Sequence, residues 1–220
     1  MQVEIWSDVV CPRCYIGKRR FESAMVEFDH RDDVVVTWRS FELDPNAPRK
    51  REGDSSENLA RKYGITREAA AANHDRITRL GAEEGLDYRF DIAVGGNTFD
   101  AHRLIHLAAE SGLQAVAKER LMAAYFSEGA PIGDPATLLK LAVEVGLEEA
   151  DVRRVLEGDA YAGAVRADEE EASRLGISGV PFFVLDRRYG LSGAQPAEMI
   201  GQALRQAWAE SQLEISTPPA

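Results

Sequence analysis

Cysteine is scarce in this chain: two residues in 220, both inside the stretch V-V-C-P-R-C-Y-I that runs from Val9 to Ile16. A small secreted domain stapled by disulfides would carry more of them at wider spacing. A chain of this length with 45% hydrophobic residues can bury a core without staples. Long apolar runs are lacking too. No stretch approaches eighteen consecutive apolar residues, as a membrane-spanning helix would need. The opening M-Q-V-E-I-W lacks the basic segment and apolar run of a secretory signal, and Met1 stands directly before a strand. The expectation is a soluble, cytoplasmic protein. Positive charge is in deficit as well. With 26 basic against 37 acidic residues the net charge is -11, so a nucleic acid is not an expected partner, nor is a membrane. The basic clusters Lys18 to Arg20 and Arg49 to Arg51 are too short for a nucleic-acid signature. They read as solvated charge or, in the first case, as helix-surface pairs with nearby acids.

What is present falls into three blocks. V-E-I-W alternates apolar and polar character as a half-buried strand does, and V-V-V-T-W-R-S-F (Val34 to Phe41) is a second β-rich run. Between them a helix opens at Pro12, with Phe21, Met25 and Phe28 at helical spacing, which makes a βαβ unit. The Pro-rich, charged stretch Pro45 to Gly53 reads as a loop. From about Ser55 to Leu175 the chain is rich in Ala, Glu, Leu and Arg, broken by glycines, and reads as five to seven helices. One of these has Asp134 as N-cap and Pro135 in its first turn. Strand character returns at Val180 to Leu185. A turn at Asp186 to Arg188, a short strand through Leu191 and an amphipathic helix from about Pro196 to Ala209 follow, and the tail S-T-P-P-A is expected to fray. The layout, βαβ, helices, then ββα, predicts an α/β thioredoxin fold with a large all-helical insertion. Residues 1–50 and 176–220 would form the thioredoxin-like domain and 51–175 the insertion.

A C-x-x-C pair where a strand hands over to a helix has specific chemistry. The thiolate is the nucleophile of thiol–disulfide exchange, and a helix N-terminus offers unpaired N–H groups and a positive dipole end that stabilise it. Cys11 would occupy the N-cap with its sulfur exposed, and Cys14, one turn in, would be shielded yet able to attack a mixed disulfide on Cys11. Pro12 lacks the N–H that would be orphaned there, and Arg13 adds positive charge.

W-S-D-V-V-C-P-R-C-Y-I-G-K-R-R-F, F-E-L-D-P (Phe41 to Pro45), N-T-F-D-A-H-R-L (Asn97 to Leu104) and G-V-P-F-F-V with S-G-A-Q-P (Gly179 to Pro196) together resemble the DsbA-like oxidoreductases of the FrnE type. That group is related to 2-hydroxychromene-2-carboxylate isomerases and kappa-class glutathione transferases. The resemblance runs through nearly the whole chain. It implies a thioredoxin fold with a helical insertion and thiol–disulfide oxidoreductase activity on protein or small-molecule thiols. No cofactor is implied beyond the Cys11–Cys14 pair, with glutathione as a candidate substrate or reductant and a homodimer as a candidate assembly. It also implies a cis peptide at Val180-Pro181 facing Cys11, with the Val180 backbone open to an extended substrate; read alone, Pro181 is a proline at a strand start. Two departures stand out. Many relatives place a buried acid six residues before the first cysteine, where this chain has Ile5, and Asp8 is the nearest substitute. The isomerase and transferase branch has serine where Cys11 stands.

The remaining candidates carry less chemistry. His102 and His106, four apart on one helix, could join the cysteines in a zinc site, although no finger spacing is present and His106 falls among packing residues. The expectation is no metal. His102 on the wall of the site could assist proton movement. Asn97 reads as an N-cap with Asp100 three residues on or, with His102, as a substrate-binding residue, and Gln195 as a contact for a thiol substrate or as a plain loop residue. The rival to redox chemistry is a binder or isomerase-like protein for an aromatic or polyketide-type intermediate.

Overall fold

A computed structural model describes residues 1–215, and the tail expected to fray lies outside the described residues. Strand β1 (Gln2–Ser7), helix α1 (Pro12–Val26) and β2 (Val35–Ser40) form the βαβ unit, with β1 and β2 parallel and Ile5 opposite Trp38. Seven helices follow: α2 (Ser55–Tyr63), α3 (Arg67–Glu83), α4 (Phe99–Glu110), α5 (Gln114–Phe126), α6 (Pro135–Val145), α7 (Glu149–Glu157) and α8 (Ala162–Arg174). The chain then returns as β3 (Phe182–Leu185), β4 (Tyr189–Ser192) and α9 (Ala197–Ile215). The sheet order is β2-β1-β3-β4, with β3 antiparallel to both neighbours. This is the α/β thioredoxin arrangement with an all-helical insertion. Among the described residues no helix is long and apolar enough to cross a membrane.

Local sequence sets the helix ends. Asp54, Thr66 and Asp134 accept hydrogen bonds from the amides of Glu57, Ala69 and Thr137 at 2.8, 3.1 and 2.8 Å. Each thereby satisfies an N–H with no partner inside its helix. Gly64 and Gly146 close α2 and α6 in the left-handed conformation that glycine adopts without strain.

Two cores meet at α1. Val3 and Ile5 of β1 pack with Phe21 of α1, Phe28 just beyond that helix, Phe183 of β3 and Leu204 of α9. On the insertion side, Cys14, Tyr15 and Ile16 of α1 join Tyr88, Leu104, Leu121 and Phe126 in a second, larger cluster. The basic run Lys18 to Arg20, expected at the surface, lies in this seam. Lys18 is 3% exposed and bonds Glu22 at 2.5 Å and Glu119 of α5 at 2.6 Å. Arg19 reaches Glu119 at 2.5 Å, and Arg20 pairs with Glu84 at 2.6 Å.

The first strand also departs from expectation, because α8 covers the face that its alternation assigned to solvent. Trp6 packs there with Ala172, Ile177 and Val184 and donates from Nε1 to the Asp168 carbonyl at 2.9 Å. Glu4 is buried on that face and takes Arg39 at 2.6 Å, with Arg187 closing on it from the other side. Arg39 also reaches Asp168 at 3.0 Å, and the second oxygen of Asp168 accepts the Ser40 amide at 2.8 Å and lies 3.1 Å from His106 Nε2. Burial works to raise the Asp168 carboxyl, but His106, the Ser40 amide and Arg39 together hold it below its ordinary value of 3.8.

Asp168→Ala should therefore cost about 3 kcal/mol in urea unfolding, because it strands buried partners. A depressed carboxyl contributes stability that is complete above its unfolded value and is lost as pH falls through the lower folded one. Asp168→Asn should accordingly flatten the loss of stability below about pH 3.8; an unchanged acid limb would remove Asp168 from that account.

Candidate active site

The active-site turn begins where β1 ends. Cys11 is the N-cap of α1, in extended conformation (φ -92°, ψ 110°), and its sulfur accepts the Cys14 amide at 3.3 Å. Pro12 occupies the first turn and its carbonyl accepts the Tyr88 hydroxyl at 2.6 Å, so the insertion holds the turn in place. Both cysteines are free thiols. An N-cap sulfur that receives a backbone N–H at the positive end of a helix favours a negative charge there.

The facing wall comes from the segment before β3. The Val180-Pro181 peptide bond is cis, and the Cys11 thiol donates to the Val180 carbonyl at 3.6 Å. This cover corrects the expectation of an exposed sulfur: Cys11 is 4% exposed and Cys14 is fully buried. The close approach requires Gly17, since a Cβ there would lie 2.8 Å from Pro181 Cγ. Arg13 is exposed and lines, with Cys11, Pro12 and Val180, a cleft of about 320 Å³. Phe90 adds an apolar wall, and Arg51 and Lys62 add positive charge.

Behind the cysteines lies a buried polar cluster. Asp8 accepts the Leu43 amide at 2.8 Å and pairs with His102 Nε2 at 3.3 Å, which moves His102 from the wall of the site to a position behind it, 1% exposed. Burial works to raise Asp8, but His102, the Leu43 amide and Lys118 leave its carboxyl below 3.8. Lys118 of α5 is fully buried, donates from Nζ to the Ser7 carbonyl at 3.2 Å and lies 5.4 Å from the centre of the Trp38 ring. Burial lowers the Lys118 ammonium to about 8, against the charges of Cys14, Asp8 and Cys11, which favour it. Burial, then the Cys11 sulfur, push the Cys14 thiol well above 9.0, opposed by the Asp8 amide and Lys118.

Sequence reasoning missed Lys118 and Tyr88. The signal for Lys118 was present: it shares a helix face with Leu121 and Met122, both buried. The weaker candidates fall elsewhere. Thr98, not Asn97, is the N-cap of α4, while Asn97 Oδ1 accepts the Phe99 amide at 2.9 Å and Asp100 pairs with Arg103. Gln195 lies outside the cleft and donates to the Ser192 carbonyl at 2.7 Å. His102 and His106 turn to different acids, Asp8 and Asp168, away from a common centre with the cysteines. Among the described residues, no group of three or more His, Cys, Asp or Glu side chains could hold a metal ion.

Gly17→Ala should destabilise the chain by about 1–3 kcal/mol through overpacking against Pro181, although alanine is the better helix former by about 1 kcal/mol. It should also slow Cys11 alkylation or exchange by moving Val180. A gain in urea midpoint would show that the approach is not tight.

Comparison with known proteins accords with this geometry. A crystal structure of a probable DsbA oxidoreductase from Streptomyces coelicolor superposes with a TM-score of 0.91 at 48% identity, covering all of this chain and 92% of that one. An uncharacterized Bacillus subtilis protein, YwbO, is 30% identical over 84% of this chain and 86% of its own length. Pseudomonas aeruginosa DsbM, a cytosolic disulfide reductase solved with glutathione, shares the fold at 20% identity and a TM-score of 0.64, over 99% of this chain and all of that one. The DsbA-like thioredoxin domain matches residues 2–205, and the chain belongs to that family.

Proposed function

We propose that the chain is a thiol–disulfide oxidoreductase that works through a Cys11–Cys14 couple. The observation that carries this reading is the Cys14 amide donating to the Cys11 sulfur at the N-cap of α1, an arrangement that makes Cys11 the better nucleophile of the two. The raised Cys14 thiol supports the complementary role. Cys11 thiolate attacks one sulfur of a substrate disulfide and expels the other half as a thiolate. Cys14 then loses its proton and attacks Cys11, forming the internal disulfide and releasing the second half. Two electrons pass to the substrate and the dithiol becomes a disulfide. Two external thiols reverse the sequence: the first attacks Cys11 and frees Cys14 as a thiol, and the second attacks the resulting mixed disulfide, leaving as a disulfide with the first and restoring the Cys11 thiol.

The rest of the site fits a protein or small-molecule thiol substrate. Val180 borders the nucleophile, and with Pro181 after it would seat an extended segment against it. Arg13, Arg51 and Lys62 would favour an anionic thiol, for which glutathione is a candidate as substrate or reductant. A reducing, cytoplasmic setting is the location this reading favours, where a glutathione pool would return the pair to dithiol.

Trapping of adducts tests the couple. Cys11→Ser should abolish reduction of a disulfide substrate, whereas Cys14→Ser should leave attack intact and accumulate a mixed disulfide with glutathione or substrate protein, seen as a reducible mass increase. A shared metal site would instead make both variants lose metal and stability alike, and a passive binder would tolerate both. Equal adduct behaviour of the two variants would end the redox reading.

A further inference from the structure

Cys11, the nucleophile of the couple, is only 4% exposed. A disulfide with a large group beside its sulfur can meet it only if part of the cleft wall gives way. Most of that wall is fixed. The Cys11 turn is tied through the Pro12 carbonyl to Tyr88, and the Val180 segment is set by the seating of Pro181 on Gly17. The segment that carries Arg51 is pinned at both ends, since the Arg51 amide donates to the Gly95 carbonyl at 2.8 Å and the Asn97 amide to the Pro48 carbonyl at 2.9 Å. A Cβ on Gly96 or Gly133 would collide with the Arg49 carbonyl oxygen. Helix α3 contributes Asn73, His74 and Ile77 to the cleft and is anchored by buried Ala70, Ile77 and Gly81.

Helix α2 is the wall without such an anchor. None of its residues is buried. Ser55, Asn58, Leu59 and Lys62 have the spacing of one helical stripe, and that inner face lines the cleft where the other helices of the insertion meet a core. A helix this short has little stability of its own. Gly53 and Gly64 flank it at positive φ, 80° and 63°, and a Cβ on Gly64 would meet nothing within 4 Å. Its ties to α3 are Ser56 Oγ against His74 Nδ1 at 3.1 Å and the pair Asp54–Arg67 at 2.5 Å. That pair is exposed and worth little in water. Across the cleft, α2 is held among the described residues by one hydrogen bond, from Lys62 Nζ to the Leu43 carbonyl at 3.3 Å.

We propose that α2 is a flap over the redox cleft, closed by Lys62 on the Leu43 carbonyl, and that it sets the size of the disulfide that reaches Cys11. The proposal rests on the redox reading above for the identity of the nucleophile. With the flap closed, a disulfide bearing a small group enters between the inner face of α2 and the Cys11 turn. A bulky one reacts only from the open state. Its rate therefore carries the cost of releasing Lys62 and turning α2 about its flanking glycines. Lys62 is exposed, so it can be exchanged without disturbing a core.

Two uncharged 2-pyridyl disulfides with the same leaving group, one of methanethiol and one of a thiolated β-cyclodextrin, separate size from charge. Both release absorbing pyridine-2-thione when Cys11 attacks the other sulfur. With each rate normalised to that of free 2-mercaptoethanol, the reduced wild type should be slower toward the cyclodextrin reagent. Lys62→Met should raise the ratio of the bulky to the small rate constant by about threefold or more, the scale of one net hydrogen bond. Lys62→Arg, which keeps a donor for the Leu43 carbonyl, should leave the ratio at its wild-type value. Equal normalised rates in wild type, a smaller rise in the methionine variant, or the same rise in the arginine variant overturns the proposal. Hydrogen exchange gives a second reading. The α2 amides should exchange faster than those of α4 in wild type and faster again in Lys62→Met, with α4 unchanged. Protection of α2 equal to that of α4, or unmoved by Lys62→Met, overturns the flap. Release of pyridine-2-thione that persists in Cys11→Ser is a different result: it counts against the redox reading, and the exchange data then decide the flap alone.

Discussion

The hydrogen bond from the Cys14 amide to the Cys11 sulfur is the contact on which the site depends, and it exists only while the first turn of α1 is held in register. A hydrogen bond is worth about 0.5–1.5 kcal/mol net, and the positive end of the helix dipole points at the same sulfur. Both fall away if the turn frays. Three elements from outside α1 hold it: Tyr88 on the Pro12 carbonyl, Pro181 against Gly17, and the packing of Tyr15 and Ile16 into the insertion.

The seam between sheet and insertion carries charge as well as apolar contact. Lys18 and Arg19 of α1 share Glu119 of α5, and Glu4 and Arg39 of the sheet meet Asp168 of α8. Removal of one member of a buried pair costs about 3–5 kcal/mol. Helices α5 and α8 are therefore fixed against the sheet at positions where each acid finds its base. The same packing that seats α5 brings Lys118 beneath the first strand, with its Nζ on the Ser7 carbonyl.

Much of the fold was legible along the chain. The V-E-I-W strand, the helix opening at Pro12, an insertion of five to seven helices, observed as seven, and the return through β3 follow from alternation, helical spacing and caps such as Asp134. The errors share one cause. Glu4 reads as a solvent-facing residue of a half-buried strand, Lys18 as surface charge, Cys11 as an exposed sulfur and His102 as part of the wall, and all four are buried. Each is covered by an element distant in sequence: α8, α5, the Val180 segment, and the turn that carries Asp8.

Local chemistry read from neighbouring residues was enough to place two thiols at a strand-to-helix junction, with the first at the N-cap, because capping and spacing operate within a few residues. Motif resemblance added the proline opposite them. The partner of every buried charge emerged only with packing. Lys118 and Ser7 lie far apart in the chain, and whether a lysine is solvated or sealed against a buried carbonyl is set by what surrounds it. Desolvation depends on the whole surrounding fold, and no window of adjacent residues contains it.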